Sequence, residues 1–495
     1  MLKTRAEVWQ ELQQHQQQLQ DCKLLDLFAN DANRFNKFVV RDDDILLDFS
    51  KQHVTAQTMQ LLLQLATVSN LAPAIASLLH GEIVNKTEQR PALHTELRNP
   101  QTKNPQITAV LTQMADFVTY VHQSHYTDVI VLGIGGSDLG PRLVCEALRN
   151  YQTTDLRLHF VANVDADTLI PLLKKLKTEN TICLINSKTF TTIETMANAK
   201  LVQQWLGAKA ATQIWAATAN REEAIKFGIN PQHIFVFWDW VGGRYSVWSS
   251  VGLAIALFIG MENFRRFLAG AHAMDQHFAT ADFSQNLPVV LALLGIWQIN
   301  FRNYATLSIQ PYADGLQLLP QYLQQLEMES NGKYAMHATA PVIWGGVGCN
   351  GQHAYMQMLH QGTQIVPVDF LVARRNHVSD QELQKLLFAS CVGQSWALMA
   401  GSVATEEHKK CFGNRPSTTI MFDQLKPETI GKLLALYEHK VYVQGVIWGI
   451  QSFDQWGVQL GKDLIKDVLQ LVDKNDFSNI DSSTAGLVKS FVASL

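Results

Sequence analysis

The sequence predicts an α/β chain with two domains of similar plan, each a parallel sheet flanked by helices, with helical extensions at both ends. Three observations lead there. A β-branched apolar run, Asp128-Val129-Ile130-Val131-Leu132, breaks into Gly133-Ile134-Gly135-Gly136-Ser137 and then into a helical pattern from Pro141. A related unit follows, in which Ala340-Pro341-Val342-Ile343-Trp344 leads into Gly345-Gly346-Val347-Gly348-Cys349-Asn350-Gly351 and a helix from about Gln352 to Leu359. Between the two, strand candidates at 158–162, 181–185 and 234–237 alternate with helical patterns, the rhythm of a parallel sheet. A chain of 495 residues, 47% hydrophobic and 17% charged, is also too long for one core to keep growing, which agrees with two domains.

Residues 1 to about 75 read as helical, with Leu24, Leu25, Leu27, Phe28 and then Leu61, Leu62, Leu63, Leu65 as apolar faces in Gln-rich polar sequence. The first domain spans roughly 105–265. An apolar helix from Ser249 and a polar stretch near 275–286 carry the chain into the second, which closes with a long helical region at about 427–472 without internal proline. Forty basic against forty-four acidic residues leave a net charge of -4, which offers no field for a nucleic-acid backbone, so any bound anion must be held locally. The start, Met1-Leu2-Lys3-Thr4-Arg5-Ala6-Glu7, has no apolar signal core, and the longest apolar run, 251–261, is short of the roughly 20 residues a membrane-spanning helix needs. That run reads as a buried core helix, and the expectation is a cytoplasmic protein with neither membrane nor nucleic-acid partner. Cys22, Cys145, Cys183, Cys349, Cys391 and Cys411 lie far apart without metal-ligand spacing, so they are expected to be reduced thiols.

Several segments carry side chains suited to chemistry. A glycine loop between strand and helix presents unpaired N–H groups to an anion, and Gly133–Ser137 is such a loop. A dinucleotide fingerprint would need glycine where Asp138 stands, and a plain tight turn is the alternative. Asn186-Ser187-Lys188-Thr189-Phe190-Thr191-Thr192 packs four hydroxyls and an ammonium before a helix, a set that suits phosphate oxygens or ordinary helix caps. Asp138 and Glu194 sit near helix starts, where complementing the dipole is the default role. Arg244 follows two glycines among Trp238, Trp240, Trp248 and an apolar run, which argues for a specific partner to its charge. Gln325 and Glu329, four apart, share a helix face beside Tyr322 and Leu326; the alternative for Glu329 is a solvated residue before the Ser330-Asn331-Gly332 turn. His353 is expected to open a helix capped by Asn350, near the second glycine loop. Gln455, Gln459 and Lys462 are spaced to share one face of the terminal helix, with Gly457 and Gly461 leaving another surface bare.

Read jointly and in order, these segments resemble the glucose-6-phosphate isomerase family. The matching stretches are Gly133-Ile134-Gly135-Gly136-Ser137-Asp138-Leu139-Gly140-Pro141, Ser187-Lys188-Thr189-Phe190-Thr191-Thr192, Val241-Gly242-Gly243-Arg244-Tyr245-Ser246, Met328-Glu329-Ser330-Asn331-Gly332-Lys333, Asn350-Gly351-Gln352-His353-Ala354 and Gln455-Trp456-Gly457-Val458-Gln459-Leu460-Gly461-Lys462. The resemblance runs from about Gly81 to Lys462. It implies two sugar-isomerase (SIS) domains: 105–265 as the smaller, 266–495 as the larger with long C-terminal helices, and 1–104 as a helical N-terminal part of the larger. It implies reversible isomerisation of glucose 6-phosphate and fructose 6-phosphate through a cis-enediol(ate), in glycolysis and gluconeogenesis, by a homodimer. Gly136, Ser137, Ser187, Lys188 through its backbone, Thr189 and Thr192 would cradle phosphate, and Gln325 and Gln455 would hold hydroxyls. Glu329 would move the proton between C2 and C1, Arg244 would face the enediolate oxygens, and His353, reaching from the neighbouring subunit, would open the ring with Lys462. One glutamate touching two carbons needs neither metal nor nicotinamide, so no cofactor is expected. Cys349, Gln459 and Pro91 stand where the family commonly has threonine, glutamate and alanine, and the Gln-rich start is not a family feature. A sugar-phosphate-binding regulator without catalysis, or an isomerase also acting on mannose 6-phosphate, are the alternatives.

Overall fold

Short β-branched and apolar runs fold as strands because their side chains pack on a pleated surface covered on both faces. The computed structural model of the chain describes residues 3–474, 477 and 480–494. Its contacts divide into a unit Met1–Ser452 and a unit Phe453–Leu495.

The first unit carries the strands β1 (Val39–Asp42), β2 (Ile45–Asp48), β3 (Asp128–Leu132), β4 (Arg157–Val161), β5 (Thr181–Asn186), β6 (Ile214–Thr218), β7 (Ile234–Val236), β8 (Thr306–Tyr312), β9 (Val342–Gly345), β10 (Val368–Ala373) and β11 (Ser417–Phe422). One sheet has the order β4-β3-β5-β6-β7 and is parallel throughout. The other has the order β1-β2-β11-β10-β8-β9, parallel from β9 to β11. Both sheets repeat one winding: the first parallel strand is inner, the second lies to one side of it and the third to the other. The chain therefore reverses direction between β3 and β5 and again between β8 and β10. Loops leaving the carboxyl ends of such a strand pair diverge and leave a crevice where ligands bind. At the first crevice those loops are the glycine turn Gly135–Ser137 and the hydroxyl-rich 187–192 segment.

Helices Leu253–Thr280 and Pro427–Trp448 pack against each other at the centre of this unit. The apolar run 251–261 is buried there as expected, although Gly260 breaks the first helix with a positive φ of 78°. Among the described residues no single helix is long and apolar enough to cross a membrane, and all six cysteines are free.

Three expectations are corrected. The N-terminal segment is not helical throughout: β1 and β2 form a hairpin, and β2 pairs antiparallel with β11, so long-range pairing decides what two four-residue runs become. The polar stretch 275–286 is a connection only from 281 onward, since its first part, with Asp275 buried, lies inside helix Leu253–Thr280. The region 427–472 is not one helix. Helix Pro427–Trp448 stops at Gly449, whose left-handed φ of 73° ends it, and a separate helix, Gln459–Lys474, belongs to the second unit.

Candidate active site

Gly136 has space for a hydrogen only, because a Cβ there would fall 2.0 Å from the carbonyl oxygen of Gly243. Two backbones therefore touch, and the 3₁₀ segment Gly243–Trp248 is pressed against the β3 loop. Ser246 reinforces the join, with Oγ donating to Gly243 O at 2.7 Å and to Gly136 O at 3.4 Å.

That contact places Arg244, which is buried. Its Nε donates to Ser330 Oγ at 2.6 Å, its Nη2 to Ser452 O at 2.6 Å, and its Nη1 lies 3.4 Å from Glu329 Oε2. Tyr245 OH shares Ser330 Oγ at 2.9 Å. Glu329 closes a π-helical turn, Gln324–Glu329, whose widened winding recurs at functional sites. Gln325 Nε2 donates to Glu329 Oε2 at 2.9 Å, while a Cβ on Gly135 would lie 3.0 Å from that same Nε2. The glycine loop, Arg244, Gln325 and Glu329 thus form one cluster. The Glu329 side chain is 22% exposed, enough to meet a ligand while held from two sides.

The β5 loop meets the same crevice. Asn186 Nδ2 donates to Ser137 O at 3.3 Å, tying the two loops together. Ser187 is buried; its Oγ accepts from Phe190 N at 3.1 Å and donates to Thr192 Oγ1 at 3.5 Å. Thr189 is exposed, and its Oγ1 accepts from Thr191 Oγ1 at 2.9 Å. Thr192 precedes helix Ile193–Leu206 without capping it through its side chain, so that side chain satisfies none of the first-turn amides. Lys188 Nζ donates to Asp239 O at 2.6 Å and Val241 O at 2.9 Å, and burial pushes its ammonium down to about 8. Asp138 is engaged otherwise: it pairs with Arg142 Nη2 at 2.7 Å, and burial raises its carboxyl despite that arginine.

His353 differs from expectation. The helix Gly348–Gln352 begins before Asn350, since Gly351 N already bonds Val347 O, so Asn350 caps nothing and His353 ends the helix on an exposed turn. No hydrogen bond or ion pair among the described residues ties its imidazole to Glu329 or Arg244. Gln455 and Lys462 lie in the second unit and do not share a helix face. Gln455 precedes the 3₁₀ turn Trp456–Val458 with φ -152°, and Lys462 is exposed on helix Gln459–Lys474. Gln459 there donates to Asp463 at 3.1 Å.

Sequence reasoning missed Ser330, which joins Arg244 and Tyr245, and Glu327, which pairs with Lys440 in the interior. A signal existed for the latter: Glu438-His439-Lys440 puts three consecutive ionisable residues between the apolar runs Leu433–Tyr437 and Val441–Val443 of one helix.

Comparison with known proteins gives the family. The family model described as phosphoglucose isomerase matches residues 48–488. The glucose-6-phosphate isomerase of Pseudomonas fluorescens (strain Pf0-1) is 44% identical over 99% of this chain and 97% of its own length, and that of Marinomonas sp. (strain MWYL1) is 42% identical over 99% and 98%. Among solved structures, a glucose-6-phosphate isomerase from Chlamydia trachomatis superposes with a TM-score of 0.90 at 31% identity, covering 99% of both chains. A match spanning most of the sequence, joined to near-complete similarity in fold, shows that this chain belongs to the phosphoglucose isomerase family.

Proposed function

We propose that the protein interconverts glucose 6-phosphate and fructose 6-phosphate by opening the sugar ring and passing one proton between C2 and C1 through a cis-enediol(ate). One observation carries this reading: the Glu329 carboxylate stands between the Gln325 amide at 2.9 Å and the Arg244 guanidinium at 3.4 Å, beside the first crevice. A carboxylate held from two sides can take the C2 proton and return it to C1 without moving far. A guanidinium fixed by Ser330 and Ser452 stabilises the charge that develops on the enediolate oxygens without giving up its own proton. Gln325 orients the base and a sugar hydroxyl.

The phosphate is assigned to Gly136, Ser137, Ser187, Thr189, Thr192 and the Lys188 backbone, where hydroxyls and helix-start amides hold an anion in a chain of net charge -4. Ring opening is assigned to His353 and Lys462, since an imidazole exchanges protons near neutral pH, and Gln455 is assigned to a hydroxyl. The exposed turn bearing His353 suits a residue that completes the site of a second subunit, so the active form is read as a homodimer in the cytoplasm. The residues divide into a smaller domain at 105–265 and a larger one at 266–495 joined by 1–104. The reaction serves glycolysis and gluconeogenesis.

A coupled assay on fructose 6-phosphate with metal-free protein, run beside deuterium exchange at C2, tests the reading. Turnover is expected for the native chain, and Glu329→Gln is expected to lose exchange while still binding the sugar phosphate. Binding without turnover in the native chain would favour a non-catalytic regulator instead.

A further inference from the structure

Helix Pro427–Trp448 buries Glu438, His439 and Lys440 almost completely. Consecutive helical residues point about 100° apart, so three adjacent charges must meet three different neighbours. Glu438 Oε1 accepts from Trp248 Nε1 at 2.8 Å, and its Oε2 accepts from Arg98 Nη1 at 2.5 Å. His439 Nε2 lies 2.7 Å from Asp275 Oδ1, and Asp275 also pairs with Arg98. Lys440 Nζ donates to Glu327 Oε2 at 2.6 Å, with both side chains 2% exposed.

Two of those neighbours matter for chemistry. Trp248 ends the 3₁₀ segment that carries Arg244, and Glu327 sits two residues before Glu329 on the same π-helical turn. One rigid helix therefore grips both segments whose side chains approach to 3.4 Å. Burying ion pairs is a poor route to stability, because desolvation offsets the attraction and apolar side chains of similar volume serve as well. What a buried, directional contact adds is a fixed register between the parts it joins.

We propose that Glu438 and Lys440 are positioning residues that set the separation of Arg244 and Glu329, Glu438 through the Trp248 indole and Lys440 through Glu327. The proposal rests on the reading of Glu329 as the base. It is tested with the double variant Lys440→Met/Glu327→Leu, which removes both charges of the pair together. Misplacement of reacting groups by about an ångström costs on the order of a hundredfold in rate. The folded variant is thus expected to lose roughly 10- to 100-fold in kcat and in C2 exchange, with KM for fructose 6-phosphate kept within about threefold. Unchanged kcat, or a raised KM with kcat unchanged, overturns the proposal. Trp248→Phe, which deletes one indole donor from the same hub, is judged by the same split and decides the matter if the double variant does not fold. Glu329→Gln runs alongside: if it retains C2 exchange, the base assignment fails whatever the hub variants do, whereas loss in Glu329→Gln with native rates in the hub variants sinks the positioning role alone.

Discussion

Arg244 approaches Glu329 to 3.4 Å while anchored at 2.6 Å to the hydroxyl of Ser330, the residue that follows Glu329. Ser330 thus ties the guanidinium to the backbone that carries the carboxylate.

Arg244→Lys keeps the charge but loses the planar fork that reaches Ser330, Ser452 and Glu329 together. Removing one preorganised donor to a developing oxyanion costs about 10²- to 10³-fold in kcat, and a fall of that order is expected with a smaller change in KM. Steady-state kinetics on fructose 6-phosphate measures it.

Two neighbouring glycine contacts make an internal comparison. Gly136→Ala drives a methyl into the Gly243 carbonyl at 2.0 Å, whereas a Cβ on Gly243 meets nothing within 4 Å. The first substitution is expected to destabilise by about 1–3 kcal/mol and to cripple turnover, and the second to leave the melting temperature near native. Thermal denaturation of both variants is the check; equal melting temperatures would refute the contact.

Asp369 on β10 is buried, and desolvation pushes its carboxyl up to about 7 against the opposing pull of Lys440. A raised folded value means the native state keeps a proton that the unfolded chain has already released above about 4. Stability from this group is therefore present below that pH and is lost as pH rises through about 7. Asp369→Asn carries no such loss, so its stability relative to native is expected to improve between pH 5 and pH 8. Denaturant titrations at the two pH values read this directly, and a shift of the opposite sign would contradict it.

Burial, with Arg90 nearby, pushes the Lys188 ammonium down to about 8 in the free protein. A dianionic phosphate in the adjacent cradle would favour the charged form, so binding should take up protons above about pH 8, and affinity should fall as pH rises through about 8. Calorimetry in two buffers of different ionisation enthalpy measures the uptake, which Lys188→Met should abolish.

The parts of the site that chemistry marks locally were legible in the sequence. Glycines beside Ser137 and four hydroxyls from Ser187 to Thr192 mark by composition two loops that the fold ties together, and Gln325 and Glu329 announce a shared face by spacing. Features set by distant partners were not. Nothing near Gly136 shows that Gly243 will press on it, and nothing near Ser330 shows that Arg244 will bond it. The face supposed to unite Gln455 with Lys462 failed because Gly449 ends one helix and the next starts only at Gln459. The strands at 306–312, 368–373 and 417–422 went unread because short apolar runs become strands only beside their neighbours in the sheet.

The hairpin at 39–48 also constrains how the chain is made. Asp48 lies opposite Thr419, so the edge of the larger sheet cannot close until almost the whole polypeptide has left the ribosome. At synthesis rates of about 5–20 residues per second, that early hairpin waits roughly 20 to 70 seconds for its partner strand. The five-stranded sheet, whose strands all lie within 128–236, is finished long before. Nascent chains should therefore pass through a stage with one sheet assembled and an unpaired hairpin held in reserve, the interval in which a chaperone would matter most.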